Sequence, residues 1–340
     1  MLKTIYRKAV PNSSRKIIWK YIIKHFLGGR IFYFPDYPRN IKNFLQIKIF
    51  GKRYSYYAGN EQIVTTTNTG QIIVVKRDDN SISPSLILYG EWEKQITKYA
   101  EKFIKTYECP TIFDIGANVG WYGLILSRFC ESSEIHYFEA NKSLVECIRR
   151  TTIINGLSHR SSINNNAVSD VMGETLKLKV INHLQGSSTI EELNMNKENT
   201  FFDNLKKPTL IEVPSITIDE YSNLGNVKKI DFLKIDVEGH EEKVINGAIR
   251  MIKSSKDMTI LMEWNTNRYS DQIIKNLVDF EILILINKKQ VINCKDLHKS
   301  CTSVNEFETS LKEITNYKYS HFDLIFTSKK IFSLSNIRTR

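Results

Sequence analysis

The sequence predicts an α/β fold: a mostly parallel sheet with helices packed on both faces and a β-rich cap ahead of it. Three observations carry this. Residues 111–115 form a short apolar run between Pro110 and Gly116, with no room for a helix, and from Trp121 the apolar residues Leu124, Ile125, Leu126 and Phe129 keep helical spacing. Similar runs recur at 134–139, 163–168, 230–236, 258–263, 281–286 and 322–326, most of them separated by helical segments, which makes seven strands. Four of them end at or beside an acid: Asp114, Glu139, Asp236 and Glu263. In such sheets ligands bind at the carboxyl ends of the strands, so these acids mark one working rim.

Taken in order, residues 1–35 contain no Asp or Glu and carry eight Lys and Arg residues. The apolar stretch 17–27 is broken by Lys20 and Lys24, too short and too charged to span a bilayer, and it lacks the cleavage site of a signal peptide. Its Trp19, Tyr21 and Phe26 fit a basic helix that either lies on an anionic membrane or packs on the rest of the protein. Residues 36–82 alternate as strands: 44–50, a turn at Gly51-Lys52, 53–57, then 63–67 and 71–75 around Asn68-Thr69-Gly70. A helix is predicted over 91–107, with Trp92, Ile96, Tyr99 and Phe103 on one face, and Glu91 and Glu93 suit its positive end. Residues 143–155 predict a helix with Leu144, Val145, Ile148 and Ile153 inward. The alternating run 174–180, a polar stretch 191–207 and extended pieces at 210–214 and 215–219 interrupt the strand–helix pattern; insertions over this rim shape pockets. Helices are predicted over 242–252 and 270–280, a polar connection over 290–318 and a basic tail over 328–340. The expected parts are a basic segment 1–35, a β-rich cap 36–82, a main domain 83–327 and that tail.

The turn after 111–115 indicates the ligand. A dinucleotide site wants Gly-x-Gly-x-x-Gly, and here the second position is Asn118. Asp114, two residues before the turn, repels a pyrophosphate and attracts an ammonium group. Glu139 lies 19 residues after Gly120, near the spacing of a carboxylate that accepts from ribose hydroxyls. Either acid alone reads equally well as a strand-end or surface acid. The two in order fit a molecule with an amino-acid end and a ribose, such as S-adenosylmethionine.

The segments Asp114-Ile115-Gly116-Ala117-Asn118-Val119-Gly120, Phe138-Glu139-Ala140 and Lys234-Ile235-Asp236-Val237-Glu238-Gly239-His240-Glu241 resemble the signature of the FkbM-type methyltransferases, a family of class I S-adenosylmethionine-dependent enzymes. The resemblance runs from about Ser83 to about Thr327 and includes Tyr89-Gly90-Glu91-Trp92-Glu93, similar to a Gly-x-x-Glu motif of that family. It implies a seven-stranded Rossmann-like sheet in the order 3-2-1-4-5-7-6. It implies a cofactor site of Glu93, Asp114, Gly116, Asn118, Gly120 and Glu139, with Asn166 meeting the adenine amino group and Ser187 and Ser188 in a Gly/Ser-rich segment facing the cofactor. It also implies O-methylation of sugars in bacterial surface polysaccharides or of related metabolites.

Methyl transfer from a sulfonium is an in-line displacement in which positioning dominates. A hydroxyl acceptor also needs its proton removed, by a base or through a metal. Asp236, Glu238, His240, Glu241 and Glu263 gather at two neighbouring strand ends. The expected catalytic set is Asp236 and His240 on the acceptor side, one of them acting as base, with Glu238 or Glu263 orienting them or binding the substrate. The alternative is that Asp236 and Glu263 hold Mg²⁺. Glu241, and on the plainer reading Glu238, cap the following helix.

The net charge is 48 − 37 = +11. This fits nucleic acid, an anionic membrane contacted through residues 1–30, or a composition bias. No Asn-Pro-Pro-Tyr motif or RNA-recognition signature occurs, so an RNA-binding methyltransferase, a nicotinamide enzyme and a non-catalytic cofactor-binding scaffold stand behind the glycan or small-molecule reading. Five cysteines without a CxxC pair predict reduced thiols and a cytoplasmic site, at the inner membrane face if the basic segment binds lipid. Cys130 and Cys147 are expected on apolar helix faces. Oligomeric state is not legible.

Overall fold

A computed structural model describes residues 54–181, 183–190, 208–280, 282–287, 290–315 and 321–328, which fall in one compact unit beginning at Tyr54. The expectations for the basic segment 1–35, the strand at 44–50, the polar stretch 191–207 and the tail beyond 328 lie outside these residues.

Three strands come first, β1 (Ser55–Tyr57), β2 (Gln62–Thr66) and β3 (Ile72–Lys76), then helices α1 (Ser83–Tyr89) and α2 (Lys94–Ile104). β4 (Thr111–Ile115) leads into α3 (Trp121–Ser127) and β5 (Glu134–Phe138) into α4 (Lys142–Ile154), with β6 (Ser161–Asn164) next. β7 (Ala167–Val168), β8 (Thr175–Val180) and β9 (Thr209–Ile216) precede α5 (Ile218–Leu224). β10 (Phe232–Ile235) leads into α6 (Glu241–Asn246) and α7 (Ile249–Ser254), and β11 (Thr259–Asn265) into α8 (Asp271–Leu277). β12 (Ile282–Asn287), β13 (Gln290–Lys295), α9 (Leu297–Ser300), α10 (Val304–Thr315) and β14 (His321–Thr327) follow.

The main sheet runs β13-β12-β14-β11-β10-β4-β5-β6. Neighbours from β6 to β11 are parallel, and β14 lies antiparallel between β11 and β12. The expected order 3-2-1-4-5-7-6 holds. Among the described residues the count is eight rather than seven, because β12 pairs with an antiparallel neighbour, β13, inside the stretch whose polarity predicts only a connection. That stretch also holds α9 and α10.

Strand interiors are buried on both faces, as parallel strands between helix layers must be. Ile112, Phe232 and Leu261 point into one core, while Phe113, Leu233 and Ile260 point into the other. Successive side chains of a strand face opposite ways, so these neighbours divide between the layers.

The β-rich cap is present as the antiparallel sheet β1-β2-β3, with the expected hairpin at Gly70. Its outer edge is capped by α4: Val74 N–H donates to Thr151 Oγ1 at 3.0 Å and Ile72 N–H to Asn155 Oδ1 at 3.1 Å. The cap continues into α1, an element the sequence reading does not contain. Pro84 in its first turn and left-handed Gly90 at its end are its start and stop signals. The predicted helix 91–107 starts later, at Lys94, because Glu93 takes a left-handed φ of 42°.

Four smaller expectations are corrected. Ile153 is 60% exposed; the inner face of α4 is Leu144, Val145, Cys147, Ile148, Thr151 and Thr152. Cys130 is half-buried in the turn after α3, whereas Cys147 is buried as expected. The extended run 215–219 gives way to α5, whose start is capped by Thr217 Oγ1 accepting from Glu220 N–H. The helix over 242–252 is split at Gly247, where a Cβ would lie 2.0 Å from the Ser169 carbonyl. A third sheet, β7-β9-β8, stands over the carboxyl rim. No helix among the described residues is long and apolar enough to cross a membrane.

Candidate active site

β4 and β10 pair with Ile115 opposite Ile235, so their carboxyl ends open side by side. Past them the chain turns through Gly116 at φ 68° and Asn118 at φ 53°. A Cβ on Gly116 would lie 1.8 Å from the Asp236 carbonyl oxygen, so the two strand ends can close only over glycine. Above them lies a cleft of about 290 Å³.

Glu139 lies one residue past β5 and lines the cleft. Its Oε2 accepts from Asn118 N–H and its Oε1 from Asn141 N–H, both at 2.8 Å. Burial pushes its carboxyl up to about 7, against the pull of those two donors. Phe138, Ala140, Val168, Leu178 and Ile190 form an apolar wall beside it, and Asn166, Ser187 and Ser188 reach the same cleft. Gly186 N–H donates to Ser81 Oγ at 3.1 Å and thereby ties the Ser187 turn to the loop ahead of α1. A carboxylate pinned by backbone donors beside an apolar wall fits a ribose diol and an adenine ring, so the residues present fit S-adenosylmethionine.

Two expected cofactor residues are placed elsewhere. Asp114 is fully buried and does not line the cleft. Its Oδ2 accepts from Gly123 N–H at 3.0 Å, while Oδ1 has no hydrogen-bond partner among the described residues. Burial lifts its pKa to about 6, opposed by Lys234. Asp114 therefore anchors the start of α3, outside the cleft lining. Gly120, at φ 81°, caps α3 and also lies outside the lining.

The other end of the cleft is acidic. Asp236, Glu238 and Glu263 each offer an oxygen within 4.8 Å of the others. Glu93 joins them in the lining, its Oε2 accepting from Tyr122 OH at 2.6 Å. Lys234 reaches in from β10: Nζ lies 3.1 Å from Asp236 Oδ2 and 3.1 Å from the Gly116 carbonyl. Burial works against its charge, but Asp236, Asp114 and Glu93 outweigh that and raise its pKa. Burial first, and then repulsion from Asp236, raises Glu93, pushes Glu238 up to about 8 and Glu263 to about 9.

These shifts set a pH dependence. Unfolded, Glu238 and Glu263 titrate near the ordinary 4.5, so the folded state binds more protons between that value and about 8–9. Their contribution to stability is full below about 4.5 and is lost as pH rises through 8 and 9. The melting temperature is expected to fall from about pH 6 to about pH 9.5, and Glu263→Gln is expected to flatten that fall. Calorimetric scans across the range check it; a flat wild-type profile contradicts it.

His240 is not at the cleft. It precedes α6, buried, with Nε2 3.1 Å from Ser169 Oγ, and burial lowers its pKa to about 4. It is neutral at pH 7, as a base should be, but it faces the wrong way. The sequence predicts Glu241 as a cap of α6; its side chain instead accepts from Gly239 N–H at 3.0 Å, in the loop ahead of that helix.

The sequence reading missed Lys234, Tyr122, Trp92, Ser81 and Ile82, all in the lining. Lys234 had a usable signal: a lysine inside a buried apolar strand needs a partner. Ser81 and Ile82 had none, because they arrive from the cap through a loop with no motif.

The family described as Methyltransferase FkbM domain matches residues 114–314, well over half of the chain. No curated protein sequence matches it. Among solved structures, the tRNA (uracil-54, C5)-methyltransferase of Pyrococcus abyssi in complex with S-adenosyl-L-homocysteine is similar at 13% identity and a TM-score of 0.38, over 79% of this chain. This chain spans only 44% of that protein. A SAM-dependent methyltransferase of Agrobacterium tumefaciens is similar at 8% identity and 0.40, over 80% of this chain and 72% of that one. An O-methyltransferase of Bacillus cereus is similar at 11% identity and 0.34, over 70% and 82%. These likenesses are too distant to say anything of substrate. By the family match over residues 114–314, the chain belongs to the FkbM methyltransferase domain family.

Proposed function

We propose that the protein is an S-adenosylmethionine-dependent O-methyltransferase that methylates a hydroxyl of a sugar in a bacterial surface polysaccharide or a related metabolite. One observation carries this reading: a single cleft joins a backbone-pinned carboxylate, Glu139, to the acidic group Asp236, Glu238 and Glu263. S-adenosylmethionine, when bound, supplies an already activated methyl group. The residues of the chain do the remaining work. Glu139 holds the ribose. Asp236, oriented by Lys234, would take the proton of the acceptor hydroxyl as the methyl leaves sulfur for oxygen. Glu238 and Glu263 hold protons at neutral pH and present hydrogen bonds to neighbouring hydroxyls.

Charge weighs against the RNA reading. Residues 1–53 contain 13 Lys and Arg and one acid, which leaves 48 − 13 = 35 basic and 37 − 1 = 36 acidic residues in the rest. The positive excess thus belongs to the segment before the described domain, and a phosphate entering the cleft would meet carboxylates.

A second reading rests on the same trio. Oxygen-only donors suit Mg²⁺. Asp236, Glu238 and Glu263 would hold it, and when bound it would lower the pKa of an acceptor hydroxyl.

Glu139→Ala tests the cofactor end. The folded variant is expected to bind S-adenosylhomocysteine more weakly by about 1–3 kcal/mol, measured by titration calorimetry. Unchanged affinity would remove Glu139 from the site, and tight binding of NAD by the wild type would remove the methyltransferase reading.

A further inference from the structure

The two acid-bearing strand ends are tied together from outside the cleft. Glu241 is fully buried and absent from the cleft lining. Its Oε1 accepts from Gly239 N–H at 3.0 Å and Val237 N–H at 3.3 Å, the residues on either side of Glu238. Its Oε2 accepts from Tyr269 OH at 2.9 Å. The same hydroxyl accepts from Asn265 N–H at 3.0 Å, and Asn265 Nδ2 donates to Glu263 Oε2 at 3.1 Å. A continuous hydrogen-bonded path therefore runs from the backbone around Glu238 to the carboxylate of Glu263. Bracing the loop ahead of α6 accounts for the first part of it only; the link through Tyr269 to β11 is not needed for that. The path also holds an unusual conformation. Glu238 sits at φ 54° and Gly239 at φ 105°, and surrounding contacts must over-determine such a backbone. Tyr269 is itself immobilised, buried edge-on against Trp264 with ring centres 4.5 Å apart.

We infer that Glu241, Tyr269 and Asn265 are positioning residues that fix the separation of Glu238 from Glu263 and hold both at the point of methyl transfer. The inference rests on the methyl-transfer reading above and names three residues, none in the cleft lining, on which the acceptor end depends. Either acid displaced by an ångström would lose contact with the acceptor.

The test needs no acceptor. S-adenosylhomocysteine ends in a neutral thioether at the transfer point, whereas sinefungin carries an ammonium group there. The acid group held at that point accepts hydrogen bonds from the ammonium, with Glu238 and Glu263 giving up their protons to solvent as it binds, so the protein prefers sinefungin and the ratio of the two dissociation constants reads their placement. Tyr269→Phe and Glu241→Gln are each expected to cut that preference about tenfold, the size of one charge-assisted hydrogen bond, and to leave S-adenosylhomocysteine affinity unchanged. Glu263→Gln sets the loss expected when a carboxylate is missing outright. Asn265→Ala removes only the side-chain tether and keeps the test open if Tyr269→Phe does not fold. A purely structural role lowers the melting temperature and leaves the ratio alone. Wild-type ratios in folded Tyr269→Phe and Asn265→Ala overturn the inference, as does a wild-type protein without the preference. If the wild type binds neither ligand, the methyltransferase reading itself falls and takes this inference with it.

Discussion

Lys234→Met is expected to destabilise the domain by about 3–5 kcal/mol, the cost of stripping one partner from a buried ion pair. Lys234 is the only cation among the described residues that line the cleft. Its charge is shared by Asp236, Asp114 and Glu93. Methionine nearly matches its volume and removes only the ammonium, so the loss reports charge rather than packing. Urea unfolding at about pH 7 measures it. The deficit is expected to shrink toward about pH 5, because Asp114, lifted to about 6, then carries a proton and no longer needs the cation. Combining Lys234→Met with Asp236→Asn should cost less than the sum of the two singles, since each leaves the other's partner stranded. A loss under about 1 kcal/mol would mean that the acids already carry protons and that Lys234 is dispensable.

Asp236→Asn is expected to lower turnover by about 10²–10⁴-fold, the usual contribution of a positioned base, with S-adenosylhomocysteine affinity little changed. Asparagine keeps the shape and loses the proton acceptor. His240→Ala is the contrast: a ring turned toward Ser169 should leave turnover within a fewfold of wild type. If His240→Ala removes activity and Asp236→Asn does not, the acceptor end is misassigned. If EDTA removes activity and Mg²⁺ restores it, Asp236 acts as a metal ligand and the second reading takes over.

Much of the scaffold is legible in the sequence alone. Gly116 and the acids at the strand ends were legible because each answers a local demand: a closing turn, a rim, a charge ending an apolar run. The sheet order came with the family resemblance. What stayed hidden depends on contacts distant in sequence. Asp114 and Glu139 look equivalent as strand-end acids, and only the packing of α3 shows that one is sealed while the other, also buried, reaches the cleft. His240 stands four residues from Asp236, as a relay would, but its buried ring meets Ser169 and does not line the cleft. The cap supplies Ser81 and Ile82 through a loop whose composition carries no sign of it. β13 was missed because Gln290, Asn293 and Lys295 dilute its apolar pattern.

The position of β14 constrains the order in which the molecule can be made. It is the last described strand along the chain, yet it is wedged between β11 and β12, both of which leave the ribosome earlier. Until residues 321–327 emerge, β11 presents a bare row of peptide groups flanked by apolar side chains, an adhesive template for other nascent chains. β12 and β13 can meanwhile form a hairpin but have no berth on the sheet. The strand ends that build the cleft are thus synthesised early, and the sheet beneath them is completed last by a late-arriving wedge. Abundance in the cell then depends on how long that gap stays open and on what shields it.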